Sequence, residues 1–156
     1  MNGAHAHLLL NHFPIIGSIF STLLLFGGVL SKSENVKKAG LLFFIFTAIM
    51  TAPAFLTGDE AEETLKAVGQ APHELIEEHE EIAETGLWLT MAVGLLAMFA
   101  YFSIKKPIAK TFVYVVILAG VANCVLMTFV GNSGGDIRHT EIRSGSSVSS
   151  GEHEGD

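Results

Sequence analysis

Charge is scarce in this sequence: only 16% of its 156 residues are Asp, Glu, Lys or Arg. An average soluble domain carries about 25%, so the chain lacks the polar surface of a soluble globular enzyme, and that class is excluded. Cysteine is all but absent. Cys124 stands alone, which excludes an intrachain disulfide and also the two-cysteine motif that attaches a c-type haem. No stripe of basic residues runs along any segment, so nucleic acid is not expected as a partner. The first ten residues contain no Lys or Arg and no small-residue cleavage pattern. A removable signal peptide is therefore not expected, and the first apolar helix is expected to stay.

What the chain does have is hydrophobicity, 49% by composition with a mean hydropathy of +0.46. Four apolar stretches, at about 8–30, 39–57, 86–104 and 111–130, are each long enough to cross a hydrocarbon core of ~30 Å. The connectors after the first and third are a few residues long, which forces antiparallel neighbours. The fold expected is an all-α integral membrane bundle of four helices in up-down-up-down order. Pro14 is expected in the first turns of span one, where its missing N–H is tolerated. Pro53 is expected to kink span two near its far end.

The charges are sorted by segment. Residues 31–38 and 105–110 hold Lys32, Lys37, Lys38, Lys105, Lys106 and Lys110, while residues 59–84 hold ten acids and a single base, Lys66. Lys-rich short connectors stay cytoplasmic. An even number of crossings then puts both termini and the acidic segment 58–85 outside. Within that segment, Asp59 to Val68 opens with acids, as suits a helix N-terminus. From His73 an unbroken helix-forming pattern leads into span three, so one helix is expected from about His73 through Ile104. The tail 144–156 has almost no apolar content and is expected to be disordered.

The seven histidines are distributed unevenly. His5, His7 and His12 open the first helix, His73 and His79 lead into the third, and His139 follows the fourth. The expected topology brings these six to one membrane face; His153 falls in the tail. Polar residues at membrane depth are costly and tend to be functional. His12 lies about one turn, or ~6 Å, inside a span that begins near Leu8. Taken singly, each imidazole also suits an interfacial residue bonded to a neighbour or a lipid headgroup, but a one-sided set of six points to a cofactor or metal.

Two kinds of site fit the set. His73 and His79 are six residues apart, so on a helix their rings diverge by about 120° and cannot chelate one ion. His5-Ala6-His7 could grip copper or zinc if extended, joined by His12 and either Glu80 or His139. Haem b fits better. It needs two imidazoles from opposing helices, apolar walls and small residues where the ring passes. Below His79 one face reads Ala83, Gly86, Thr90, Val93 or Gly94, and Ala97; below His12 one face reads Ile16, Ile19 or Phe20, then Leu23. The small-residue stripe equally suits ordinary helix packing in a membrane. On this reading His12 and His79 hold a haem. His7 and His139 hold a second haem, a metal or a quinol, and Arg138 is a candidate partner for a propionate.

The spacing of His7, His12, Phe13 and Pro14 (H-x4-H-F-P), the turn Thr57-Gly58-Asp59-Glu60-Ala61-Glu62-Glu63, and the ending Gly134-Gly135-Asp136-Ile137-Arg138-His139 together resemble a bacterial family of four-helix predicted membrane proteins, the 2231 family of domains of unknown function. The resemblance covers about residues 5–143. It implies a bacterial inner-membrane protein with His7, His12, His79 and His139 as the marked positions, and His5 and His73 as additions. Similar modules stand near cytochromes and respiratory proteins. The resemblance thus implies a respiratory-complex subunit handling quinol-derived electrons; the charge of the acidic segment separately suits a basic soluble electron-transfer partner, attracted in a salt-dependent way. The chain departs from the commoner ending, in which an aromatic precedes the last histidine; here it is Arg138. Two other functional classes stay open. One is a histidine-rich metal-binding or transport protein, for which Thr47, Thr90 and Asn123 are the only polar candidates at mid-depth. The other is a cofactor-free accessory subunit.

Overall fold

A computed structural model of the chain describes residues 3–68 and 72–138. It is built of six helical segments: α1 (Gly3–Leu10), α2 (His12–Leu30), α3 (Glu34–Leu56), α4 (Gly58–Val68), α5 (His73–Phe102) and α6 (Ala109–Arg138). These combine into four helices long and apolar enough to cross a membrane, Ala4–Leu30, Glu34–Ala67, His73–Phe102 and Ala109–Ile137. Helix α2 packs on α3, α3 on α5, α5 on α6, and α6 back on α2. The result is an all-α four-helix bundle in which α2 and α5 are diagonal. Its outer surface carries Ile16, Leu23, Ile49, Leu95, Leu118 and Phe129, each at least half exposed, which suits a hydrocarbon surrounding.

The first helix starts earlier than its apolar run. A first helical segment, α1, begins at Gly3, and Pro14 is the third residue of the segment that follows it, α2. Proline has no N–H to offer the Leu10 carbonyl, and its ring crowds that carbonyl. The helix is accordingly interrupted at Asn11, although the Asn11 amide still bonds the His7 carbonyl at 2.8 Å. His5 and His7 therefore lie within a helix. An i, i+2 pair on a helix points about 200° apart, so the extended chelating arrangement of His5 and His7 does not form. At the other end of the bundle, Lys32 takes a left-handed φ of 54°, and the Ser33 hydroxyl caps α3 by accepting the Val36 amide at 3.4 Å.

Helix α3 runs through Pro53 and gives way to α4 at Thr57. Helix α5 is one continuous element of 30 residues, close to the single helix expected over 73–104. Helix α6 extends well past the expected end at about 130. The tail 144–156 and His139 lie outside the described residues.

Inside, the bundle has three levels. At the lysine end Leu25, Leu41, Phe44, Val93, Ala97, Ala100, Val113 and Val116 form the apolar core. Above it lies a buried polar layer. Asn123 donates from Nδ2 to Ser18 Oγ at 2.8 Å and accepts from Thr90 Oγ1 at 3.0 Å, which ties α2, α5 and α6 together. The Ser18 hydroxyl in turn donates to the Pro14 carbonyl at 2.6 Å. Interhelical bonds of this kind contribute only about 0.6 kcal/mol each on average, so the layer fixes register more than stability. Among the described residues every buried side-chain nitrogen and oxygen has a partner. Thr90 and Asn123 thus belong to a satisfied layer, and the Thr47 hydroxyl donates to the Phe43 carbonyl at 2.8 Å. The third level, at the histidine end, is open.

Candidate cofactor site

Above the polar layer the four helices splay around a cavity of about 900 Å³. Its floor and walls are apolar, formed by Ile15, Phe55, Leu65, Ile76, Leu87, Met127 and Val130, and three histidines line it: His7, His12 and His79. Among the described residues no Lys or Arg lines it. Asp59, Glu62, Glu77, Glu80, Glu81 and Glu84 do.

His7 and His79 are both half-buried and approach from diagonally related helices. Each has one ring nitrogen tied down. His7 Nδ1 lies 3.1 Å from the Ala54 carbonyl on α3. A carbonyl only accepts, so Nδ1 carries the proton and Nε2 carries the lone pair. His79 Nδ1 lies 2.9 Å from Ser133 Oγ on α6. That hydroxyl spends its own proton on the Val130 carbonyl at 3.2 Å, so it accepts from the ring, and His79 too is held as the Nδ1–H tautomer. Neither Nε2 has a hydrogen-bond partner among the described residues. A ring oriented through one nitrogen and free at the other is the arrangement that metal-ligating histidines adopt.

A glycine makes room for one of the rings: a Cβ on Gly134 would sit 3.1 Å from His79 Cε1, tighter than ordinary contact. The acidic rim is itself coupled. Glu62 on α4 and Glu80 on α5, both in the acidic segment 58–85, lie close enough to influence each other. Lys66, paired with Glu62, holds that carboxyl below its ordinary value. Desolvation and the neighbouring Glu62 push the Glu80 carboxyl above its ordinary value.

The other expected site residues are less enclosed. His12 lines the same cavity but is exposed, with Nδ1 bonded to the Asn11 side chain. The residues below it, Ile16, Ile19, Phe20 and Leu23, are 41–64% exposed and face outward. They do not wall the inner cavity, whose apolar lining comes from other residues. The small-residue face below His79 does point inward, but helix packing consumes it. A Cβ on Gly94 would lie 2.4 Å from Ala48 Cβ, and one on Gly86 would lie 2.6 Å from Met127 Cε. The space for a ligand is higher, at the level of Ile76 to Ala83. His73 is exposed and pairs with Glu77 at 3.1 Å, and His5 is exposed. Among the described residues no three His, Cys, Asp or Glu side chains converge on a point that would hold a metal ion. Arg138 closes α6 directly after the lining residue Ile137.

One pattern in the sequence did mark His7. Pro14, Ser18, Ser21 and Leu25 are buried along one face of α2, and small polar residues mark the packed face of a membrane helix. Seven residues back from Pro14 on that face is His7. Ser133, the anchor of His79, carries no comparable local signal. No family model matches the chain, and neither the curated proteins nor the solved structures contain a match to it.

Proposed function

We propose that the chain is a small cytochrome b-like electron-transfer protein that binds one haem b between His7 and His79. The observation that carries this reading is the pair of imidazoles that line one cavity, each tied down through Nδ1 and with no hydrogen-bond partner at Nε2 among the described residues. Bis-imidazole ligation from two helices of a four-helix bundle is a recurrent way to hold a haem. Bound there, the haem would supply reversible one-electron storage. The chain's own groups would orient the two axial rings, exclude water with Phe55, Ile76, Leu87 and Met127, and set the local charge. The carboxylates of the rim favour the oxidised, more positive iron, so a low potential is expected. Arg138, next to the lining residue Ile137, is the candidate partner for a propionate.

Short lysine-rich connectors tend to stay cytoplasmic, which supports a cytoplasmic position for the opposite end of the bundle. The haem then lies at the periplasmic face of a bacterial inner membrane, and this chain alone does not conduct electrons across. It would act within a larger respiratory complex, taking quinol-derived electrons. The acidic segment suits a basic soluble electron-transfer partner, drawn in by a salt-sensitive attraction. Changing Glu77, Glu78 and Glu81 together to Gln is expected to weaken that association several-fold at low ionic strength and to flatten its salt dependence. An unchanged salt profile would remove the acidic face from the account.

The all-acid rim favours one competitor, a copper or zinc ion held by the same two imidazoles and completed by a ligand such as His139. A reduced-minus-oxidised optical spectrum with metal analysis on the same purified sample separates the two.

A further inference from the structure

A second recess opens on the outside of the bundle, between α2 and α3. It encloses about 250 Å³ and is lined by Leu9, Phe13, Ile16, Phe20, Phe43 and Phe46, with Gly17 and Thr47 also in its lining. The aromatic walls are ordered against each other: Phe13 meets Phe46 edge-on at 6.4 Å between centroids, and Phe20 meets Phe43 at 4.9 Å. Close helix approach gives the recess its base, since a Cβ on Gly17 would collide with Thr47 Oγ1 at 2.5 Å. One titratable residue belongs to this apolar slot, His12, and it lines the inner cavity as well.

His12 stands five residues below His7, about 7.5 Å deeper along the helix. Its Nδ1 is taken by the Asn11 carboxamide oxygen, which only accepts, so Nδ1 carries the proton and Nε2 the lone pair. Among the described residues nothing bonds that Nε2. An acceptor that meets hydrocarbon is costly unless something donates to it. A lipid acyl chain would fill the slot but leave the imidazole unpaired. The occupant that satisfies both parts has a flat apolar body and a hydroxyl, and reaches the slot sideways from the bilayer.

We infer that the α2–α3 slot binds the headgroup of a lipid-soluble quinol, whose hydroxyl donates to Nε2 of His12. The inference rests on the electron-transfer reading for its purpose, because it names the class of membrane donor and the residue that receives it. It concerns binding alone, and binding can be read whether or not haem is present.

The test uses the full chain in phosphatidylcholine nanodiscs, titrated with 2-heptyl-4-hydroxyquinoline N-oxide, a quinol mimic whose fluorescence is lost on binding. The expected result is saturable binding at one site per chain. It should weaken by about tenfold in His12→Leu, stay near the wild-type value in His12→Gln, which keeps an acceptor, and be unchanged in His79→Ala. Because His12 is exposed and outside the packed core, these variants should fold, and far-ultraviolet circular dichroism checks that they do. Quenching that grows without saturation, as for a slot filled by ordinary lipid, would overturn the inference. So would a folded His12→Leu variant that binds like wild type. Loss of the haem spectrum in His79→Ala with quinol-mimic binding intact tells against neither proposal. Haem absent from the wild type would sink the cytochrome reading and leave this binding site to stand or fall by its own titration.

Discussion

Replacing Gly40 with alanine is expected to be among the most damaging single changes outside the cavity. The added Cβ would sit 2.7 Å from both the backbone nitrogen and the Cα of Leu25, so no flexible side chain can move aside to receive it. The α2 and α3 backbones must separate, and the fully buried Leu25 and Leu41 lose their packing with them. Apolar area gives little drive for association inside a bilayer, where close van der Waals contact at small residues holds the helices together. Overpacking of this kind costs about 1–3 kcal/mol, a large share of an ordinary folding free energy of about 5–15 kcal/mol. Gly27, one turn from the same hairpin, is the internal control. A Cβ there meets nothing within 4 Å, and alanine is the better helix former, so Gly27→Ala should melt at or slightly above the wild-type temperature. Thermal denaturation in one detergent compares all three proteins. Equal midpoints for Gly40→Ala and wild type would mean that the two helices are not as close as described.

The second large effect is expected at Gly134, where the consequence is functional. A valine there would place its Cβ 3.1 Å from His79 Cε1, with further atoms beyond it. The imidazole would have to leave Ser133 Oγ, and with that bond it would lose the constraint on its tautomer and aim. Losing the outer partner of a metal-bound histidine commonly costs 10–100-fold in affinity, and haem retention in Gly134→Val should fall by about that factor. Ser133→Ala removes the same bond without pushing the ring, so a smaller loss is expected. Haem titration of the refolded apoprotein, followed by Soret absorbance, measures both. Since Gly134 lies past the apolar stretch of α6, the bundle itself should survive either change. Unaltered haem affinity in both variants would mean that the Ser133 bond does not position the ligand.

Much of the architecture is visible in the amino-acid order because hydropathy and length report it directly. Four runs of the right length, two lysine-bearing connectors and an uninterrupted helix-forming stretch from His73 leave few alternatives to a four-helix bundle. What depth and hydropathy conceal is which way a residue faces. His12 stands out as a polar residue below the start of an apolar run, yet it lies on the outward stripe with Ile16, Ile19 and Leu23. The inward stripe is written in smaller letters, as Pro14, Ser18 and Ser21, and it leads back to His7. The start of the helix was hidden for a related reason. Gly3 to His7 is not apolar enough to count as part of a span, but it continues the same helix. The contacts that orient the two rings, Ala54 for His7 and Ser133 for His79, join residues 47 and 54 positions apart. Such contacts arise only when separate helices meet, and neither periodicity nor motif spacing reports them.

The polar layer also explains why the cavity stops where it does. Asn123, Ser18 and Thr90 close the bundle below the histidines with bonds among themselves. Beneath them Phe44 fills the centre, its ring so close to Gly120 that a Cβ there would lie 2.6 Å from Cζ. The site is therefore confined to one end of the molecule. A cofactor there would exchange electrons with partners at that end and not with the lysine-rich end.

The reduced-minus-oxidised optical spectrum of the full chain, purified from membranes in mild detergent, tests the central claim most directly when His7→Ala, His79→Ala and His12→Ala are recorded beside the wild type. A sharp b-type α-band in the wild type and in His12→Ala, lost in His7→Ala and in His79→Ala, is the predicted result. An α-band that survives in His7→Ala but disappears in His12→Ala would contradict the pairing across the cavity. The absence of any band from the wild type, with stoichiometric copper or zinc in its place, would contradict the haem itself.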